Sequence, residues 1–370
     1  MNDDALRFAI DSFGFTGRLT ACEEITTGHI NETYRLTFLQ PEGERRYLLQ
    51  HINTYVFKKP DEVMENVLLV TKHIRRALEA DGVDPTARVL HVVLTRSGEP
   101  LCWDGEGRAW RAYDNIEHAH SVDVVESPEQ FEGVGRAFGG FQSMLADFPI
   151  ERLHETIPDF HDTIKRLAAF EQSVAADPVG RAAGVKAEIE AVRARGDAMG
   201  QIVRMIGAGD IPLRVTHNDT KCNNVMVDDA TGQPLCVIDL DTVMAGSALY
   251  DYGDAIRFGA CTAAEDEPDT SKVALDMAMF EAFTRGFVSE TAGRLTRTEL
   301  EALPLGAMVM TYELAMRFLK DYIDGDPYFR TEYPEHNLVR ARCQLELLYD
   351  MERKRGEMDA CVRGLIGGEG

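Results

Sequence analysis

Five polar residues in the segment 215–254 have the types and the spacing that phosphoryl transfer requires. A carboxylate can orient and deprotonate a hydroxyl group, and further oxygen ligands can hold Mg²⁺ against the phosphates of a nucleotide. A single segment supplies both functions in order: His217, Asp219, Asn224, Asp239 and Asp241. The segment therefore predicts an ATP-dependent kinase that acts on a small molecule.

Each of these residues has an expected role. Asp219, in a loop, is interpreted as the general base rather than as a simple turn former. Asn224 and Asp239 are predicted magnesium ligands, because Mg²⁺ prefers a few oxygen donors together with phosphates and water. Asp241 is a third candidate ligand, or else a neighbour that holds a ligand in place. His217 is expected to be structural and to hold the loop.

Two further acidic residues and one glycine-rich segment have structural interpretations, and Gly28 has two. Asp251 and Asp254 are expected near the start of a helix, where at least one would cap it, and Asp254 could also brace the Asp219 loop. The glycines in 133–140 lie within a helical pattern and predict close helix packing, and no P-loop motif is present. A glycine such as Gly28, just before a strand, lets the backbone approach a phosphate, although it is also common in ordinary turns.

The composition limits the partners and the compartment. A net charge of −23 argues against nucleic acid, which is bound by Lys- and Arg-rich surfaces. The seven scattered cysteines form no C-x-x-C pair, which is typical of a reduced, cytoplasmic protein. We find neither a signal peptide nor an apolar run long enough for a membrane span, so no membrane partner is expected. The oligomeric state is left open.

Hydrophobic patterns predict an α+β fold with two lobes. Strands at 33–39 and 46–52 form a hairpin, a helix covers 60–78, and further strands follow near 89–95 and in 97–113. Helices are predicted at 128–145 and 182–206, with short strands near 213–216, 224–227 and 235–238, and helices near 270–288, 298–320 and 336–357. The predicted N-terminal nucleotide-binding lobe is 1–113, and the C-terminal catalytic lobe is 114–370.

Five blocks resemble the aminoglycoside phosphotransferase/choline kinase superfamily, and within it the N-acetylhexosamine 1-kinases. In chain order they are TGHINETYRL, YLLQHINTYVFKKPDEVMEN, THNDTKCNN, VIDLDTVMAGSALYDYGDAIRFG and YELAMRFLKDYIDGDPYFR. The resemblance implies a bilobal protein-kinase-like fold. It also implies that ATP and Mg²⁺ phosphorylate the anomeric hydroxyl of N-acetylglucosamine or N-acetylgalactosamine.

The resemblance also implies roles for single residues. It implies that Asp219 is the catalytic base and contacts the substrate, and that Asn224 and Asp239 are magnesium ligands. It makes Gly28 and Glu65 nucleotide-site residues, and it places the adenine-contacting hinge near Asn115 and Glu117. It further implies sugar contacts from His29, Asn31, Phe258, Arg317 and Tyr328.

One position departs from the pattern of kinases. A strand Lys normally meets the nucleotide phosphates and a helix Glu. Gln50 lies at this position, as it also tends to do in the sugar 1-kinases that the chain resembles. Magnesium, backbone amides or another cation must then balance the phosphate charge.

Two other functions stay open. A kinase of the same fold could act on an aminoglycoside, choline or homoserine. A nucleotide-binding regulatory protein without catalysis is the alternative from another class. The sequence does not distinguish N-acetylglucosamine from N-acetylgalactosamine, because one hydroxyl epimer changes binding by only a few kcal/mol.

Overall fold

A computed structural model describes residues 3–26, 31–122 and 124–367, and these form two compact units of interleaved segments. The first unit comprises Met1–His120, Asp147–Ile157 and Met226–Met244. The second comprises Ser121–Ala146, Pro158–Val225 and Ala245–Gly370. The units differ from the division predicted after residue 113, because two later segments return to the first unit. The predicted boundary between a nucleotide-binding lobe and a catalytic lobe stays a prediction.

The first unit is built on an antiparallel sheet. Its helices are α1 (Asp3–Ser12) and α2 (Pro60–Ala80), and its strands are β1 (Arg18–Ile25), β2 (Glu32–Gln40), β3 (Gly43–Ile52), β4 (Val92–Val93), β5 (Cys102–Trp103) and β6 (Ala109–Asp114). Within the described residues, the strand order is β1-β2-β3-β6-β4, and β5 also pairs with β6. The predicted hairpin is confirmed as β2 and β3. The predicted strand at 89–95 is reduced to β4, and neither α1 nor β1 was predicted.

The two faces of this sheet carry different side chains because successive residues of a strand point to opposite faces. Tyr34, Leu36 and Phe38 alternate along β2 and join one apolar core with residues of α1. Thr33 on β2 and Gln50 on β3 are register partners, so both project from the opposite face. Polar side chains are thus placed on one face of an otherwise apolar sheet.

Asn66 explains why two distant segments belong to the first unit. It is 1% exposed on α2, and its side-chain amide donates to the carbonyl oxygens of His154 and Val243, both at 2.9 Å. The amide oxygen of Asn66 accepts the backbone N–H of His154 at 2.9 Å. One buried side chain therefore satisfies backbone groups in both returning segments.

The second unit is mainly helical. Its helices are α3 (Pro128–Met144), α4 (Thr163–Ala176), α5 (Lys186–Met199), α6 (Gln201–Ala208), α7 (Ala248–Gly259), α8 (Met277–Thr291), α9 (Arg297–Glu301), α10 (Leu303–Asp324), α11 (His336–Arg353) and α12 (Arg355–Gly367). Helix α8 begins later than the predicted residue 270 because the Asp276 side chain caps it, accepting the N–H groups of Ala278 and Met279. No helix in the described residues is long and apolar enough to cross a membrane.

Short strands complete the chain. They are β7 (Ala119–Ser121), β8 (Arg214–Thr216), β9 (Val225–Asp228), β10 (Pro234–Val237) and β11 (Met244–Gly246). The order β10-β9-β7 forms a three-stranded sheet, and β11 pairs with β8. A unit with an antiparallel sheet and a helical unit confirm the predicted α+β fold class.

Close packing of α3 against α8 requires glycine, as the glycine-rich segment predicted. A Cβ atom on Gly135 would lie 2.4 Å from the carbonyl oxygen of Phe283. A Cβ atom on Gly286 would lie 2.1 Å from the carbonyl oxygen of Glu132. Since both contacts are with backbone atoms, the two helices touch along their main chains, where a side chain would force them apart.

Replacing Asn66 tests its role in the first unit. We expect Asn66→Ala to lower the free energy of unfolding by about 3 kcal/mol, because it leaves several buried backbone groups without a partner. Urea denaturation of the purified protein measures this loss. Glu62→Ala on the same helix is the control. It removes only an ion pair with the 70% exposed Lys59 and should cost about 0.5 kcal/mol or less. Equal stability of the two variants would contradict the role of Asn66.

Candidate functional site

The loop between β8 and β9 carries the predicted base in the second unit. Asn218 adopts a left-handed conformation with φ of 64°, which turns the chain sharply after the strand. A short 3₁₀ turn, Cys222–Asn224, follows. The side-chain amide of Asn224 then donates to Asp219 twice, at 2.8 Å to the carbonyl oxygen and at 3.2 Å to Oδ2.

Carboxylates of α7 hold this loop by its backbone. Asp251 accepts the N–H groups of His217 at 2.9 Å and Asn218 at 2.7 Å. Asp254 accepts the N–H of Thr220 at 3.1 Å. The predicted capping role is wrong, because α7 begins at Ala248 with Ser247 as its cap. The spacing of three residues instead places both carboxylates on one face of the helix. The bracing role anticipated for Asp254 is confirmed.

Burial governs the charge on Asp251. Burial raises the pKa of its carboxyl above the usual value, although the nearby His217 and the backbone N–H groups lower it. The carboxyl also accepts the Gln142 side-chain amide at 2.6 Å. Three N–H donors thus compensate for the loss of water around this buried group.

His217 has the structural role expected of it. Its side chain is fully buried, and its ring makes edge contacts with Phe138 and Phe141 at centroid distances of 5.7 and 5.8 Å. Its Nδ1 atom accepts the backbone N–H of Asp219 at 3.3 Å. The imidazole therefore holds the loop through this hydrogen bond and through its ring contacts.

Lys221 is a neighbour of the base that the sequence analysis missed. Its Nζ atom lies 3.0 Å from Oδ1 of Asp219, whose side chain is 27% exposed. Burial alone would raise the pKa of the Asp219 carboxyl, but the attraction of Lys221 and the hydrogen bond from Asn224 lower it below its usual value. Asp219 is therefore held ionised, as a proton acceptor must be. The signal was a lysine two residues after a loop aspartate.

The other two predicted metal residues belong to the first unit and follow β10. Asp239 adopts a left-handed conformation with φ of 58°, which is costly for a residue other than glycine and often marks a functional position. Asp241 lies in the 3₁₀ turn Leu240–Thr242 and is 3% exposed. Its two carboxylate oxygens accept N–H groups from the fork of Arg111, a second residue that the sequence analysis missed. The signal was a charged residue within the apolar strand β6.

The proposed nucleotide residues of the first unit are arranged as follows. Glu65 on α2 pairs with Nε2 of His154 at 2.7 Å. Asn115 follows β6, and its side-chain amide donates to Oε1 of Glu117 at 2.9 Å. Gly28 and His29 lie outside the described residues.

Two of the predicted acceptor-binding residues lie together in the second unit. The Arg317 guanidinium on α10 lies over three aromatic rings at 5.4–5.8 Å: Phe160, Tyr328 and Phe329. Tyr328 is 58% exposed, so its ring is accessible. Phe258 is half-buried in the last turn of α7.

Buried charges lie beneath this aromatic group. Glu313 has no exposed surface and contacts Nδ1 of His161 at 3.0 Å and Nε of Arg166 at 3.1 Å. Arg317 lies 4.0 Å from the same carboxylate. One carboxylate is thus shared by two guanidinium groups and an imidazole.

The donor atoms are compatible with magnesium bound together with phosphates. In the part of the chain that the structure describes, no group of three His, Cys, Asp or Glu side chains could hold a metal ion by itself. Magnesium usually takes only one or two carboxylates and obtains its other ligands from phosphates and water. Asp239 in the first unit and Asn224 in the second unit each carry an oxygen donor of the type that suits that chemistry.

Comparisons with known proteins show the family of the chain. The model of a phosphotransferase enzyme family, APH, matches residues 21–282. The chain belongs to this family. A microcompartment-associated aminopropanol kinase has a similar structure, with 16% identity, a TM-score of 0.62, and coverage of 97% of this chain and 99% of the other. An aminoglycoside phosphotransferase from Alicyclobacillus acidocaldarius has 12% identity, a TM-score of 0.58, and coverage of 98% and 96%.

A choline kinase from Cryptosporidium parvum also has a similar structure. Its identity is 12%, its TM-score is 0.55, and 94% of this chain and 93% of the other are covered. At these identities the likeness concerns the fold alone. The expected superfamily and its protein-kinase-like fold are confirmed, whereas the narrower N-acetylhexosamine 1-kinase assignment stays a prediction.

Substitutions at Asp251 test how the loop is held. We expect Asp251→Ala to lower the free energy of unfolding by about 2–4 kcal/mol, since two buried backbone N–H groups lose their acceptor. Asp251→Asn keeps one acceptor oxygen and should cost less. Thermal and urea unfolding measure both variants. Equal losses for Ala and Asn, or no loss for either, would contradict the bracing role.

Proposed function

We propose that this phosphotransferase uses ATP to phosphorylate the anomeric hydroxyl of an N-acetylhexosamine, which gives the sugar 1-phosphate. The observation that carries the proposal is the Asp219 carboxylate, held by Asn224 and Lys221 in a loop that buried carboxylates brace. A fixed carboxylate beside a lysine suits a group that accepts the proton of an attacking hydroxyl.

The proposed reaction proceeds in one displacement. Asp219 orients the acceptor hydroxyl and takes its proton, and the sugar oxygen attacks the γ-phosphorus in line as ADP departs. Asn224 and Asp239 would hold magnesium, which would neutralise charge on the phosphates. Asp241 is either a third ligand or a residue that positions the others.

The remaining assignments follow the sequence resemblance. We propose Gly28, Glu65, Asn115 and Glu117 for the nucleotide. We propose His29, Asn31, Phe258, Arg317 and Tyr328 for the sugar, in addition to Asp219.

Charge around Arg317 supports a neutral acceptor rather than a cationic one. The Arg317 guanidinium lies over the rings of Phe160, Tyr328 and Phe329. An ammonium group near Arg317 would be repelled, whereas the hydroxyl and acetamido groups of a sugar can accept its N–H donors. The exposed Tyr328 ring also offers an apolar surface to a sugar ring. This argument favours an N-acetylhexosamine over an amino alcohol such as choline.

A panel of acceptors tests the proposal. Purified protein with Mg²⁺ and ATP is incubated with N-acetylglucosamine, N-acetylgalactosamine, glucose, galactose, choline, aminopropanol, homoserine and kanamycin. We expect turnover with an N-acetyl sugar and an acid-labile product, because an anomeric phosphate hydrolyses readily in acid. Turnover restricted to choline, aminopropanol, homoserine or kanamycin would refute the sugar assignment and keep the phosphotransferase. ATP binding without turnover of any acceptor would favour the non-catalytic alternative.

Lys221 makes a prediction about pH. Activity needs ionised Asp219 and is lost as the pH falls through the pKa of that carboxyl. Because Lys221 lowers this pKa, Lys221→Met should raise it and move the acid limb of the kcat profile to higher pH. Lys221→Arg keeps the charge and should leave the limb near its wild-type position. An acid limb that is unchanged in Lys221→Met would contradict the pairing.

A further inference from the structure

Gln50 leaves β3 without the cation that kinases usually carry there, and the neighbouring strand supplies one. Gln50 on β3 is the register partner of Arg111 on β6. Residues opposite each other in an antiparallel pair project from the same face of the sheet. The Nε–H of Arg111 accordingly donates to Oε1 of Gln50 at 2.9 Å, and the amide nitrogen of Gln50 donates to Oγ1 of Thr33 at 3.0 Å. A hydrogen-bonded row thus crosses three adjacent strands and ends at Arg111.

The guanidinium at the end of this row is committed to Asp241. Both terminal nitrogens of Arg111 donate to the two carboxylate oxygens, with 2.9 Å from Nη2 to Oδ2. Both residues are almost completely buried, at 2% and 3% exposure. A fork of this kind fixes the plane and the direction of a carboxylate, which a point charge such as lysine cannot do.

A third donor completes the arrangement around Asp241. The side-chain amide of Asn31 donates to Oδ2 at 2.8 Å, and its oxygen accepts the backbone N–H of Asn53 at 3.0 Å. The carboxylate of Asp241 therefore accepts three N–H donors from two residues. This number of donors suits a group that is held in place better than one that binds a metal ion directly.

Electrostatics gives the arrangement a consequence for Asp239. Asp239 and Asp241 are two residues apart, and two carboxylates in one turn repel each other unless a cation lies near them. Burial opposes the charge on Arg111, but attraction by Asp241, and more weakly by Asp239, raises its pKa. The positive charge of Arg111 balances the negative charge of Asp241, which reduces the repulsion between Asp241 and Asp239.

We propose that Arg111, on the strand next to Gln50, is a positioning residue for the turn that carries Asp239 and Asp241. It fixes and neutralises Asp241, and thereby holds the Asp239 turn in the conformation that binds magnesium with the nucleotide. We place Arg111 away from the phosphates, because it is 2% exposed and donates to Gln50, Asp241 and the sulfur of Met64. This inference rests on the proposed kinase function and assigns Asp241 as a residue that holds a ligand in place.

The test separates metal-dependent from metal-free nucleotide binding. Calorimetry measures binding of the non-hydrolysable analogue AMP-PNP to the full chain, in EDTA and across a Mg²⁺ series. We expect Arg111→Lys to bind metal-free AMP-PNP about as tightly as the wild type. It should need roughly tenfold more Mg²⁺ for half of the magnesium-dependent gain in affinity, as is common when a residue that orients a metal ligand is changed.

A matched control comes from the same unit. Arg108 forms an ion pair of 2.8 Å with Asp104, whose side chain is 3% exposed, and Arg108→Lys should leave the Mg²⁺ requirement unchanged. If Arg111→Lys fails to fold, the double variant Arg111→Gln with Asp241→Asn removes both buried charges together. It should show the same rise in Mg²⁺ requirement.

Each of the other outcomes would contradict one part of the proposal. A less stable Arg111→Lys with an unchanged Mg²⁺ requirement would make Arg111 structural only. An equal loss of affinity in EDTA would make it a direct phosphate contact. A wild-type protein that binds no AMP-PNP at all would refute the kinase proposal, and this inference with it.

Discussion

The carboxylate of Asp251 is the group on which the loop that carries Asp219 depends. Buried backbone N–H groups need acceptors, and the sharp turn after β8 removes His217 and Asn218 from the strand pairing that would otherwise provide them. A single side chain from α7 meets both groups. The geometry of Asp219 is therefore set by a helix that begins about thirty residues later in the chain, which couples the packing of α7 to the chemistry of the loop.

The first unit also holds an irregular segment through a buried charged side chain, but there the side chain that reaches the segment is a cation. There the buried group is a carboxylate, Asp241, and the donor is the fork of Arg111. Asn66 does similar work for the backbone of two returning segments. In both units, hydrogen-bonded buried polar groups hold the irregular segments, while the apolar core holds the regular ones. These irregular segments carry the residues to which we assign chemistry.

Local patterns explain how much of this arrangement could be predicted. Alternation in β2 and β3, the apolar stripe of α3 and the glycines facing α8 depend on neighbouring residues in sequence, and their predictions are confirmed. The bracing by Asp251 and the Arg111–Asp241 pair join residues far apart in sequence. No repeat in the sequence marks such contacts. Asp251 and Asp254 were therefore interpreted as candidate helix caps, and Arg111 was missed. The spacing of Asp219 and Asn224 was informative because a hydrogen bond joins them within one loop.

The most direct test of the account is the rate of the phosphoryl-transfer step itself. Rapid-quench measurement of a single turnover, with enzyme in excess over radiolabelled Mg·ATP and a saturating acceptor, compares the wild type with Asp219→Asn. The account predicts that the variant binds ATP normally and transfers phosphate at least about 10²-fold more slowly, the usual contribution of a positioned base. Transfer at a rate within a few-fold of the wild type would contradict the assignment of Asp219 as the base.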